Sequence, residues 1–90
     1  MLRFTKRADY GLIAIHYIAF HQEGGSVSSK RIAEEFHIPP ELLAKILQRL
    51  ARKGLIVSHN GPKGGYVLAS PPHELTVGQV VRAIEGPINI

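Results

Sequence analysis

Cysteine is absent from the 90-residue sequence. Without a thiol, these residues cannot form a disulfide, a thiolate zinc site or a cysteine-ligated iron–sulfur cluster. The absence fits a reducing compartment, so we expect a cytoplasmic location. Long apolar runs are also lacking, and none approaches the ~20 residues that a bilayer-spanning helix needs. Residues 11–20, an apolar segment that His16 interrupts, are predicted to form a helix of the folded protein and not a signal peptide.

Acidic residues are missing between Glu41 and Glu74. The formal net charge of the chain is +4. A surface that faces phosphates needs segregated cations, because Lys and Arg there displace condensed counterions. The charge pattern therefore favours a nucleic-acid partner, although a solvated basic face gives the same pattern. The cations of the acid-free stretch are Lys45, Arg49, Arg52, Lys53 and Lys63, and Arg3, Lys6 and Arg7 precede the first acid, Asp9.

Apolar spacing and helix-ending residues predict four helices. The first covers residues 6 to about 22 and is apolar on most sides, as a central helix or one that packs on a partner subunit would be. A short second helix is capped by Ser28 or Ser29 and ends near His37. The third covers residues 40–53, with an inward stripe of Leu43, Ile46, Leu47 and Leu50. The fourth follows a capping-box pattern at Thr76 and stops at Gly86.

A β-hairpin is predicted between the third and fourth helices. Residues 55–57 and 66–69 have the composition of strands, and the intervening segment Asn60-Gly61-Pro62-Lys63-Gly64-Gly65 is rich in turn-forming residues. The fold class is therefore mainly α with a small β-hairpin. Its order is that of a winged helix-turn-helix: helix, helix, turn, recognition helix, two-stranded wing, helix. We expect residues 1–90 to form one domain.

This arrangement predicts binding to double-stranded DNA. The second helix of a helix-turn-helix enters the major groove with its N-terminal residues against the base edges, and the wing can reach a flanking groove. The alternative is a winged-helix module that binds proteins, because fold alone does not dictate function.

Several motifs resemble those of the Rrf family of bacterial winged-helix transcription regulators. The motifs are Leu2-Arg3-Phe4-Thr5 with Tyr10, Ile32-Ala33-Glu34, Ile38-Pro39, Leu42-Leu43, residues 46–50, residues 55–58, residues 61–69, residues 76–80 and Glu85-Gly86-Pro87. The resemblance implies a homodimeric DNA-binding regulator, usually a repressor. It implies major-groove contacts from Pro40, Glu41, Leu42, Ala44 and Lys45, and wing contacts from His59, Asn60 and Lys63.

Further DNA contacts are expected from Arg3, Lys6, Ser29, Lys30, Gln48 and Arg49. Several family members have an arginine where this sequence has Asn60. Insertion into the minor groove is therefore expected from Lys63 or His59.

The resemblance also concerns cofactors and assembly. Many family members hold an iron–sulfur cluster through three cysteines beyond the fourth helix, and dimerise through a long C-terminal helix. Both features would follow Ile90, so we expect no cofactor in these 90 residues. We expect a homodimer where the C-terminal helix is present.

Other kinds of site find little support. The histidines are scattered, and His16 and His21 are not on one helical face, so no metal site is predicted. The glycines of residues 61–64 match the GxxG of an RNA-binding KH domain, but they lie between strand-like runs and not between helices. A Walker loop would end in Gly-Lys-Ser/Thr, which is missing. No paired carboxylates or nucleophile–base pair stands out, so the sequence predicts no enzyme.

Overall fold

The computed structural model describes residues 4–59 and 64–86. Within these ranges the chain forms four α-helices and one antiparallel hairpin, which confirms the winged helix-turn-helix class. Short 3₁₀ turns follow α1 at Gln22–Gly24 and precede α4 at Pro72–Glu74. The elements are α1 (Lys6–His21), α2 (Ser29–Phe36), α3 (Pro40–Arg52), β1 (Ile56–His59), β2 (Gly65–Leu68) and α4 (Val77–Glu85).

Three helices begin at side-chain caps that the sequence contains. The hydroxyl of Thr5 accepts a hydrogen bond from the Ala8 amide at 3.2 Å, and that of Ser28 accepts one from the Arg31 amide at 3.1 Å. Thr76 and Gln79 form a reciprocal capping box at the start of α4. These bonds satisfy amides that have no partner within the helix, and so fix where each helix starts.

The core lies where α1, α2, α3 and α4 meet the hairpin. The inward stripe of α3 is buried, with Leu43, Leu47 and Leu50 fully inaccessible. On α1, Ala14 and Ile18 are also fully buried, which agrees with a central position for this helix. A single apolar cluster thus fixes the position of α3 in the fold.

The strands differ from the predicted ranges at both ends. Leu55 was expected in the first strand, but its amide donates to Leu50 O at 3.0 Å and so completes the turn that ends α3. The strand starts one residue later and continues through Ser58 and His59, whose exposed polar side chains suit a hairpin open to solvent. Ala69, predicted in the second strand, lies beyond its end, although its amide still donates to Leu55 O at 3.0 Å.

A third segment pairs with the hairpin. Val27, in the connection between α1 and α2, exchanges two backbone hydrogen bonds with Tyr66, at 2.9 and 2.8 Å. Val27 is fully buried. Sequence periodicity did not reveal this pairing, because one residue between serines has no strand pattern. The bridge joins the tip-side end of β2 to the start of the helix-turn-helix.

None of the helices in the described part of the chain is long and apolar enough to cross a membrane.

Candidate nucleic-acid interface

The turn between α2 and α3 directs the first residues of α3 away from the core. His37 ends α2 with a left-handed backbone (φ 55°), and Ile38 then buries its side chain in the core. Pro39 precedes α3 and Pro40 opens it, where the missing N–H of proline costs no helical hydrogen bond. Glu41 lies in the first turn, a favourable place for an acid in the helix dipole.

The outward face of α3 carries the residues expected to contact DNA. Pro40, Glu41, Lys45 and Gln48 are exposed, and Leu42 and Ala44 are half-buried. Because residues four apart lie on one face of a helix, Lys45 and Arg49 neighbour each other, as do Gln48 and Arg52. The first two turns of α3 are thus mixed in polarity, and its last two turns are basic.

A groove on this face gathers cations from two helices. Four of its residues are basic, none is acidic, and Arg7 comes from α1 whereas the other cations come from α3. We call it the basic groove; its lining consists of Arg7, Leu42, Lys45, Ile46, Gln48, Arg49, Arg52 and Ile84.

Two contacts at the end of α4 explain the shape of the basic groove. The Thr5 amide donates to Glu85 Oε2 at 3.0 Å, which holds the start of α1 against the last residue of α4. Arg49 Nε donates to Ala83 O at 2.8 Å, which holds α3 against the same helix end. The groove therefore lies where α1, α3 and α4 converge.

The cations of the basic groove are not neutralised by the chain's own acids. Across residues 4–59 and 64–86, the one contact within ion-pair distance joins His73 Nε2 to Glu74 Oε2 at 3.8 Å, on the 3₁₀ turn before α4. No lysine or arginine in those ranges pairs with a carboxylate. The positive charge of the groove therefore remains available to an anionic partner.

The other expected contacts lie outside the basic groove or outside the described residues. Lys6, at the start of α1, lines a neighbouring depression with Arg7 and Glu85. Ser29 and Lys30 are in the first turn of α2, half-buried and exposed respectively, and His59 is exposed at the end of β1. Arg3, Asn60 and Lys63 fall outside the described residues, so their placement stays a prediction.

Two cations of the basic groove were not among the expected contacts. Arg7 belongs to the basic N-terminal segment, but nothing local in the sequence indicates that it reaches α3. Arg52 belongs to the acid-free basic stretch and was predicted to face outward, but it was not named as a DNA contact. Its spacing of seven residues from Lys45 was the signal that placed both on one helical face.

The aromatic residues of α1 form a separate cluster away from the basic groove. Tyr17 is buried, stacks on His21 with ring centroids 4.0 Å apart, and accepts a hydrogen bond from Arg31 Nε at 3.1 Å. His16 is exposed and its ring lies 4.8 Å from that of Phe20. The bond from Arg31 joins α2 to α1, and the cluster gives no arrangement of a nucleophile with a base.

Comparison with known proteins places these features in a family. The Rrf2 family model, described as "Iron-dependent Transcriptional regulator", matches residues 4–90. The HTH-type transcriptional regulator CymR of Bacillus subtilis is 33% identical over 88 residues, which are 98% of this chain and 64% of that protein. The HTH-type transcriptional regulator IscR of Pectobacterium carotovorum is 32% identical over 88 residues, 98% of this chain and 54% of that protein.

The fold comparison agrees with the sequence comparison. The solved structure of CymR, described as the global cysteine regulator of B. subtilis, superposes with a TM-score of 0.90 at 35% identity, over 98% of this chain and 68% of that chain. The chain spans between about half and two thirds of the length of its curated relatives.

The iron in the family description finds no matching donor set here. The sequence contains no cysteine, and the described residues contain no group of three histidine or acidic side chains that could hold a metal ion. Iron in proteins is held by thiolates, imidazoles and carboxylates that converge on one point. The residues present therefore do not fit an iron site.

Proposed function

Because the chain belongs to the Rrf2 family of transcriptional regulators, we propose that these 90 residues bind double-stranded DNA and do not catalyse a reaction. The observation that carries the proposal is the basic groove. It joins cations of α1 and α3 with no acid in its lining, and its lysine and arginines form no ion pair with a described carboxylate. Uncompensated cations that line one groove suit a polyphosphate backbone, since each phosphate contact releases counterions.

In this proposal α3 lies in the major groove. The inward stripe of α3 is buried in the core and fixes which face of the helix is outward. The outward residues of its first two turns would therefore contact base edges. Lys45 and Glu41 are the side chains suited to read bases there, since Lys donates to guanine and Glu accepts from cytosine. Pro40, Leu42 and Ala44 would make apolar contacts, for which a thymine methyl group is the matching partner.

The wing is proposed to lie on a flanking groove. His59, at the end of β1, is exposed and directly precedes the tip. Asn60 and Lys63 are proposed contacts on chemical grounds, as an amide and a cation beside glycines that permit close approach to the backbone. Lys6, Ser29 and Lys30 are proposed to contact phosphates. Arg3 is proposed as a further phosphate contact because it is positively charged.

The test is the salt dependence of binding to random-sequence duplex DNA, measured by fluorescence anisotropy. Five phosphate contacts from cations, namely Arg3, Lys6, Arg7, Lys30 and Arg52, predict that affinity falls about 500-fold between 50 and 200 mM salt. The charge-preserving variant Arg7→Lys should retain that slope, whereas Arg7→Ala should make it shallower by about 0.9. Absence of binding at 50 mM salt would refute the proposal and favour a protein-binding module.

Sequence specificity and assembly need a second experiment. We propose that the protein acts as a homodimeric repressor in the cytoplasm, where bacterial DNA lies, with half-sites about one helical turn (~34–36 Å) apart. Selection from a random duplex pool, with this chain and with a version extended past residue 90, should enrich a palindrome with the extended version. Enrichment of a half-site without symmetry by both versions would contradict the dimer, and activation in a transcription assay would contradict repression.

A further inference from the structure

The hydrogen bond between Arg49 and Ala83 joins the recognition helix to the end of α4. Arg49 Nε donates to Ala83 O at 2.8 Å, and this bond connects residues 34 positions apart. Ala83 is 6% exposed, so its carbonyl has little access to water. The geometry is that of a charged donor on a carbonyl at the negative end of a helix, one of the stronger hydrogen bonds a surface arginine can make.

Ala83 has a specific need for this donor. In an α-helix, the carbonyl of residue 83 accepts from the N–H of residue 87. Residue 87 is a proline, which has no N–H. Gly86 N–H is occupied by Arg82 O at 2.8 Å. The Arg49 side chain therefore donates to a carbonyl whose helical partner, the N–H of residue 87, is missing from the sequence.

Arg49 differs in this respect from the other cations of the groove. All three are exposed side chains of α3, and Lys45 and Arg52 lie four residues before and three residues after Arg49. Neither donates a side-chain hydrogen bond to any atom of the described ranges, whereas Arg49 Nε donates one to Ala83 O of α4. A guanidinium held in this way has its plane and direction fixed by the protein.

We propose that Arg49 is a positioning residue that sets the angle of the recognition helix on α4, and is not itself a phosphate contact. The inference rests on the proposed DNA binding and refines it. With Arg49 removed, α3 would still present Lys45 and Arg52 but would be free to tilt on α4. Discrimination between DNA sequences would then suffer, while the electrostatic attraction to any duplex would persist.

The experiment compares Arg49→Ala and Arg49→Lys with Arg52→Ala as a matched control on the same helix. Lysine keeps the charge that a phosphate contact needs, but it lacks the Nε–H of the guanidinium group. Affinities are measured for the selected duplex and for random duplex across a salt series. Circular dichroism confirms that each variant is folded at the assay temperature.

Positioning predicts that Arg49→Ala and Arg49→Lys lose the preference for the selected sequence to a similar extent, about 10-fold, with the salt slope on random duplex within about 0.3 of wild type. Arg52→Ala should instead make the slope shallower by about 0.9 and leave the preference intact. The inference is overturned if Arg49→Lys behaves as wild type while Arg49→Ala makes the slope shallower by about 0.9. It is equally overturned if both variants match wild type throughout.

A spectroscopic measurement separates this inference from the proposed function. The Arg49 Nε–H should give a slowly exchanging NMR signal in the free protein and keep it when duplex DNA is added. A signal in fast exchange with water in the free protein would overturn the inference. If wild type fails to bind duplex at all, the proposed function falls, but the NMR result still decides whether Arg49 holds α4.

Discussion

The δ-carbon of Ile84 on α4 would overlap a β-carbon on residue 11 of α1, which is glycine. Ile84 also lines the basic groove. The close approach of the two helices therefore depends on a missing side chain, and it brings the start of α1 beside α3.

Gly11→Ala should destabilise the fold. An added β-carbon would displace Ile84, at a typical overpacking cost of ~1–3 kcal/mol, against a gain of ~1 kcal/mol in helix propensity. We expect a net loss of up to about 2 kcal/mol in urea unfolding. Ile84→Val removes the δ-carbon, so the double variant should be more stable than the sum of the single effects predicts. Additive effects would show that the two atoms do not compete for space.

Leu47→Ala should lower the free energy of unfolding by about 2–5 kcal/mol, because Leu47 is fully buried in the inward stripe of α3. Gln48→Ala, at the exposed neighbouring position, should change it by less than about 0.5 kcal/mol. Urea denaturation of both variants measures the difference. A larger loss for Gln48→Ala than for Leu47→Ala would mean that the two faces of α3 are assigned the wrong way round.

Lys45→Ala and Glu41→Ala should each change which base is preferred at one position of the selected DNA, by about 1–3 kcal/mol. The reason is that both residues are exposed in the first two turns of α3. Competition between duplexes that differ at single positions measures the change, with Arg52→Ala as the variant that should weaken all duplexes alike. Unchanged preference and affinity for Lys45→Ala would rule out α3 as the reading helix.

Glu85 should make the stability of the fold depend on pH. Hydrogen bonds from the hydroxyl and the backbone N–H of Thr5 lower the pKa of Glu85 below its ordinary 4.5. Its stabilising effect is therefore complete above about pH 4.5 and is lost as the pH falls through the lower folded-state pKa. Urea unfolding from pH 6 to pH 2.5 should show a shallower pH dependence for Glu85→Gln than for wild type, and an equal dependence would contradict the contact with Thr5.

Gly65→Ala should weaken the pairing of the wing with Val27. Gly65 has φ 144°, and a β-carbon there would lie 2.9 Å from the Val27 carbonyl carbon and oxygen. Gly64→Ala is a matched control, because Gly64 also has a positive φ (57°) but has nothing within 4 Å of the added atom. Hydrogen exchange at the Val27 and Tyr66 amides should accelerate more in Gly65→Ala than in Gly64→Ala, and equal rates would contradict the close approach.

The sequence revealed the elements better than their contacts. The stripe of Leu43, Ile46, Leu47 and Leu50 predicted α3 because helical periodicity is local, and Thr76 predicted the start of α4 for the same reason. The bond from Arg49 to Ala83 spans 34 residues, and periodicity says only that Arg49 is not inward. A clue was nevertheless present, since Pro87 leaves the Ala83 carbonyl without its helical partner.

Similar reasoning applies to the wing and to the basic groove. The polar residues Ser58 and His59 looked like a loop because strand propensity measures how well a residue packs on a half-buried surface, and this strand is exposed.

Arg7 was outside the expected contacts because its proximity to α3 depends on the glycine at residue 11 and on the bond from Thr5 to Glu85. Both are tertiary contacts that a single sequence does not display.

The two backbone hydrogen bonds between Val27 and Tyr66 fix the register of β2 on β1, although Val27 lies outside the hairpin. Tyr66 cannot slide along β1 without breaking its pairing with a residue fixed in the core. His59 and Gly65 form the last pair of the hairpin, and five residues connect them. An insertion or deletion in this connection therefore changes the connection and leaves the register of the strands unchanged. Proteins built on this scaffold can therefore vary the reach of the wing without disturbing the helices that support it.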